Sequence, residues 1–131
     1  MPSSVRELRV WQEAVGTAGE VAKLARKTRP ETRALVDVLI RCSAEAALAI
    51  ARAHAKEGTV AQRDGFRLAR DAIASLETGL AIARHAELFP AAACADLGLR
   101  AGHTGRLVGG YISYLDRLVE ADAETIRTST V

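Results

Sequence analysis

Between Phe66 and Ala83, apolar residues return at alternating spacings of three and four: Phe66, Ala69, Ile73, Leu76, Leu80 and Ala83. That spacing lines one face of a helix. Leu68 and Ile82 widen the seam to one side, while Arg67, Arg70, Asp71, Glu77 and Arg84 fall largely outside it, so the pattern predicts a helix with a dry face and a wet one. A comparable stripe opens the chain at Leu8, Trp11, Val15, Ala18, Ala22 and Ala25. With Ser4 and Glu7 as a capping box before it, it predicts a helix from about Val5 to Lys27. Pro30, at a position where a first helical residue can lack its N–H, starts a second helix. Leu35, Leu39, Cys42, Ala46, Ala49 and Ala53 form one of its stripes, Val36, Ile40, Ala47 and Ala51 another, and Gly58 ends it. Thr59 with Gln62 reads as a second capping box, launching the third helix through the seam to about Leu88, where Pro90 prevents continuation. Ala91 to Ala95 reads as a connector. From about Asp96 the heptad returns as Leu97, Ala101, Thr104, Val108, Tyr111, Leu115 and Leu118, predicting a fourth helix to about Ala121.

Four helices of about 25 residues, each ~37 Å long and joined by short links, must run antiparallel to their neighbours. The expected fold is therefore all-α, an up-down-up-down four-helix bundle. Residues 1–121 form its single domain, and 122–131 a polar, Thr-rich tail without periodicity that is expected to be frayed or disordered. Composition agrees with helices over a sandwich or barrel: aromatics make up 4% of the 131 residues and there are three prolines. Cys42 and Cys94 lie among small apolar residues at no metal-binding or disulfide-framework spacing, and read as buried free thiols. Met1 to Glu7 has no apolar core, and no apolar run approaches the ~20 residues that span a bilayer, so a soluble cytoplasmic protein is expected.

A net charge of +2 and a pI near 8.8 leave the class of partner open. The distribution of charge says more. Lys23, Arg26, Lys27, Arg29 and Arg33 fall within eleven residues against a single Glu31, and in the expected bundle Arg84, His85 and Arg100 come to the same end. Such an end-face attracts phosphates and predicts salt-dependent binding of RNA or DNA without base reading, through Lys23, Arg26, Lys27, Arg29, Arg33, Arg84 and Arg100. The simpler reading is a solvated helix end whose cations match the dipole. The scarcity of aromatics argues against stacking on single strands. At the other end Asp116, Glu120, Asp122 and Glu124 are acidic, an arrangement that favours end-to-side contacts between subunits. Arg41 and Glu45, four apart, predict an ion pair on the second helix.

Gly98, Gly102, Gly105 and Gly109 form a stripe of bare backbone on the fourth helix. Each costs up to ~1 kcal/mol in a helix interior, which predicts a compensating close contact with another helix or subunit. The alternative is a locally weak helix. His54, His85 and His103 are the only histidines, and none follows a glutamate at the spacing of a di-iron bundle. No HExxH motif, Ser-His-Asp set or phosphate-binding glycine loop can be assembled. No catalytic residue, metal ligand, cofactor or small-molecule substrate is expected, and the chain reads as a non-enzyme.

The order of several short motifs resembles a known family. Leu8, Val10, Trp11, Gln12 and Ala14 resemble an opening L-x-V-W-Q-x-A; Arg29 and Pro30, then Arg41 through Ala53, follow; and Phe66, Ala69, Leu76, Glu77, Leu80 and Ile82 resemble a phenylalanine-led run that closes on L-E-x-x-L. These are features of the four-helix-bundle proteins encoded in intervening sequences of bacterial 23S ribosomal RNA genes, to which the accessory proteins of diversity-generating retroelements are similar. The chain departs from that pattern where the family reads N-I-A-E-G, having Ala49, Ile50, Ala51, Arg52 and Ala53, and where Ser75 stands for a family glutamate. The resemblance implies the bundle and a homopentamer. The expected function is a homo-oligomeric scaffold binding RNA, DNA or a nucleic-acid enzyme through the basic end. The alternative is a protein-interaction or assembly module without nucleic-acid affinity.

Overall fold

The structure is a computed structural model that describes residues 4–129. A 3₁₀ turn, Val5–Glu7, leads into α1 (Arg9–Ala25), and a second, Pro30–Thr32, into α2 (Arg33–Ala55); α3 (Thr59–His85) and α4 (Ala91–Ser129) follow. The described residues contain no strand. The largest contacts are α2 on α3 and α3 on α4, and α1 lies against α2 and α4. Gly65 meets Ala53 and Gly79 meets Leu39, so α2 and α3 run antiparallel. Tyr111 stacks on Phe66 and Gly105 lies against Ile73, so α3 and α4 do too. The fold is all-helical, with four helices packed on one another.

All six seam residues of α3 are buried. Phe66, Ala69 and Ile73 pack with Leu8, Ile50 and Val108 toward one end of the bundle, and Leu76, Leu80 and Ala83 with Val21, Leu39 and Leu97 toward the other. The three buried hydroxyl residues are satisfied within their own helices: Thr17 donates to the carbonyl of Glu13 (2.9 Å), Ser43 to that of Ile40 (2.9 Å) and Thr104 to that of Arg100 (3.0 Å).

Several sequence expectations are corrected. On α1 the buried row is Val10, Ala14, Thr17 and Val21, whereas Val15 and Ala22 are exposed. Alanines on both flanks make the dry face of that helix ambiguous by periodicity alone. Leu68 and Ile82 do not widen the seam of α3 but face solvent. At Ser4 the hydroxyl accepts from Arg6 N–H (3.3 Å), capping the 3₁₀ turn, and extended Leu8 separates that turn from α1. The Thr59–Gln62 capping box does not form. Gly58, at φ +92°, is the N-cap, and the Gln62 amide instead donates to the carbonyl of Lys56 (3.0 Å), holding the end of α2. Glu45 pairs with Arg52, not with Arg41. α4 begins at Ala91, because Pro90 suits the position before a first turn, and it continues to Ser129, so 122–129 are helical where an irregular tail was expected. Residues 130 and 131 lie outside the described residues.

α3 stops at His85, earlier than expected, through a complete Schellman motif. Leu88 N–H reaches the carbonyl of Ala83 (2.8 Å), Glu87 N–H that of Arg84 (3.1 Å), and Glu87 takes φ +57°. Glycine is the residue suited to that left-handed position. Glu87→Gly is therefore expected to stabilise the fold by ~0.5–1 kcal/mol, part of the relief being returned as extra freedom of the unfolded chain. Thermal unfolding would register this as a rise of about 4 °C.

Candidate nucleic-acid interface

Both the α1–α2 and α3–α4 connections emerge at one end of the bundle, and three adjoining depressions open there. The first, a groove of about 390 Å³ between the end of α1 and the start of α2, is lined by Arg26, Arg29 and Arg33, with Asp37 the one carboxylate. The second shares Arg29 with it and adds Lys27 and Glu87. The third shares Glu87 and adds Arg84. Local structure fixes the two turns. Thr28 donates its hydroxyl to the carbonyl of Ala25 (2.7 Å) and Thr32 to that of Arg29 (2.7 Å), so the backbone between α1 and α2 is tied at both ends.

Of the seven cations expected at this end, Arg26, Lys27, Arg29, Arg33 and Arg84 line these depressions, and none makes an ion pair among the described residues. Two stand apart. Lys23 pairs with Glu20 (3.2 Å) one turn back on α1. Arg100 lies across Gly16, its guanidinium 2.7 Å from where a Cβ would stand there, about 14 Å along the axis from Ala25. Burial of Cys94, at the start of α4, pushes its thiol up, and the nearby Arg84 guanidinium partly opposes that shift. The largest group of paired cations is elsewhere: Arg63 and Arg67 on α3 share Asp64 and Asp116, a four-charge cluster that pins α3 to α4 near the opposite end.

The glycine stripe of α4 does not bring two helices together within the chain. A Cβ at Gly98 or Gly109 would meet nothing within 4 Å, and one at Gly105 would make an ordinary 3.5 Å contact with Ile73. The close approaches are at Gly65 and Gly79 on α3. Sequence reasoning also missed a groove between α2 and α3. Its signal was present in Val38 and Leu48, apolar residues standing off every predicted stripe, and in Leu68, which periodicity had assigned to the α3 seam.

Among the described residues, no group of three His, Cys, Asp or Glu could hold a metal ion, and no helix is long and apolar enough to cross a membrane. Fold and surface together define a four-helix bundle with an end-face where five cations stand beside Asp37 and Glu87 without forming an ion pair among the described residues. No family model and no curated protein matches the chain.

Proposed function

We propose that the protein is a non-enzymatic, homo-oligomeric scaffold in the cytoplasm that holds RNA or DNA, alone or with an enzyme acting on it, against its basic end. The observation that carries this reading is the α1–α2 groove, where three arginines converge without an ion pair. Charges left unneutralised in a folded surface remain available to phosphate, and arginine binds phosphate through a planar fork of donors. The contacts are to backbone phosphates, so affinity follows salt and not sequence. Likeness to the intervening-sequence proteins adds a ring of five subunits to the proposal, in which the basic ends would be repeated.

Generic RNA is expected to bind at about 50 mM salt, with log K falling linearly against log salt. Replacing Arg26, Arg29 and Arg33 together by glutamine should shrink the magnitude of that slope by about 2–3. Absence of binding at low salt would end the reading. It would leave the second one, an assembly module without nucleic-acid affinity, which the exposed Leu48, Leu68 and Leu99 favour. Affinity capture from extract separates the two, since partners held through RNA are lost on nuclease treatment.

A further inference from the structure

The end of α4 projects beyond the bundle. Tyr111 stacked on Phe66 puts Leu118 level with Thr59, the first residue of α3, so residues 119–129 extend about three turns, ~16 Å, past it. The row that is buried at Val108, Ile112 and Leu115 continues along this overhang as Val119, Ala123 and Ile126, at spacings of four, four and three. Ile126 is 63% exposed. Helical stability in proteins comes mainly from packing of an apolar face, so an apolar row on an unpacked helix end calls for a surface to pack against. The overhang also carries Glu120, Asp122 and Glu124 against Arg127, which pairs with Glu124, a net charge of −2 by 1 − 3.

A surface of matching form lies on the side of the same fold. Two depressions of about 530 and 350 Å³ run together between α2 and α3, sharing Glu45, Ala72 and Ser75. They extend from Val38 to Lys56 along α2, about 27 Å, more than the overhang needs. Small residues lie along the groove, while Leu48 and Leu68 stand at its edges, 52% and 67% exposed. Arg52 is satisfied by Glu45, which leaves Arg41 and Lys56 against Asp71, a net positive rim. Two copies of the acidic overhang would repel each other, whereas overhang and groove attract.

We propose that residues 119–129 of one copy lie in the α2–α3 groove of the next, with Ile126 packed against Leu48 and Leu68. This rests on the reading of the protein as self-assembling and names the surfaces that do it. The contact is head-to-tail, so repeating it closes a ring or grows a filament. Each copy offers one overhang and one groove, and the two can be disabled separately. Ile126→Asp spoils the first and Leu48→Asp the second. Both residues are exposed in the monomer, so helix content by circular dichroism should not change.

By sedimentation velocity and native mass spectrometry, the wild-type chain is expected to assemble beyond a dimer. Each variant alone should fall to monomer, its association weakened by ~30-fold or more, as for an apolar anchor lost from an interface. Mixed together, the variants should form a one-to-one heterodimer and nothing larger, because the intact groove of one meets the intact overhang of the other. If either variant assembles as the wild type does, or the mixture remains monomeric, the head-to-tail contact is wrong while self-assembly stands. A monomeric wild-type chain would overturn both.

Discussion

Gly65→Val is expected to lose ~3 kcal/mol or more of stability, measured by urea or thermal unfolding, and Gly65→Ala about 1–2 kcal/mol. A Cβ at Gly65 would stand 2.8 Å from the Cα of Ala53 and 2.9 Å from its Cβ. The Cα is backbone, and alanine has no rotamer by which to retreat, so α2 and α3 must separate along their most extensive contact. Alanine recovers up to ~1 kcal/mol as a better helix former; valine recovers less and adds two methyl groups to the clash. The control is Gly98→Ala, where nothing lies within 4 Å of the new Cβ, and stability should rise by up to ~1 kcal/mol. The same substitution thus takes opposite signs on two helices. If Gly65→Ala were stabilising, the close approach of α2 and α3 would be wrong. If Gly98→Ala dissolved the oligomer, the α4 stripe would be a subunit contact.

The contrast shows what could be read in the chain. Periodicity found the six buried residues of the Phe66–Ala83 seam, because large side chains dominate it and charged residues bound it, but it wrongly added the exposed Leu68 and Ile82. It misplaced the dry face of α1 by one position, because Val15, Ala18 and Ala22 are as apolar as the row that is buried. Close approach was assigned to the glycines of α4 on their even spacing alone. The pair that matters was visible differently: Gly65, Ala72 and Gly79 flank the seam residues Ala69, Leu76 and Ala83, and together they make a row at helical spacing, nearly all small, opposite the alanines of α2. A glycine within a row of small residues facing another such row is a stronger sign of close packing than an evenly spaced glycine stripe with no such partner row. The basic cluster was legible as charge. Which of its members converge was not, since the separation of Lys23 and Arg100 depends on Glu20 and Gly16, partners that sequence proximity to a helix end does not reveal.

Phe66→Ala is expected to cost ~3–5 kcal/mol, toward the upper end of that range. Its ring is fully buried and stacks on Tyr111 with centroids 5.3 Å apart and planes 9° from parallel. Stacking of this kind adds ~0.5–1.5 kcal/mol to the area buried. What decides the magnitude is how well the surroundings can fill the space. Ala14, Ala46, Ala49, Ala53 and Ala69 share its core cluster, and alanines cannot swing into a void as leucines can. Against a total of roughly 5–15 kcal/mol for a domain of this kind, the loss removes a large fraction of stability. Phe66→Leu should cost about half as much, and Leu99→Ala, at a position 74% exposed, should stay within ~0.5 kcal/mol of wild type. Because Phe66 and Tyr111 set the register of α4 against α3, the alanine variant is also expected to weaken assembly at temperatures where it remains folded, by releasing the position of residues 119–129. A Phe66→Ala loss below ~1.5 kcal/mol in urea unfolding would show that this core is not packed as described and that the α4 register rests on the Asp116 cluster instead.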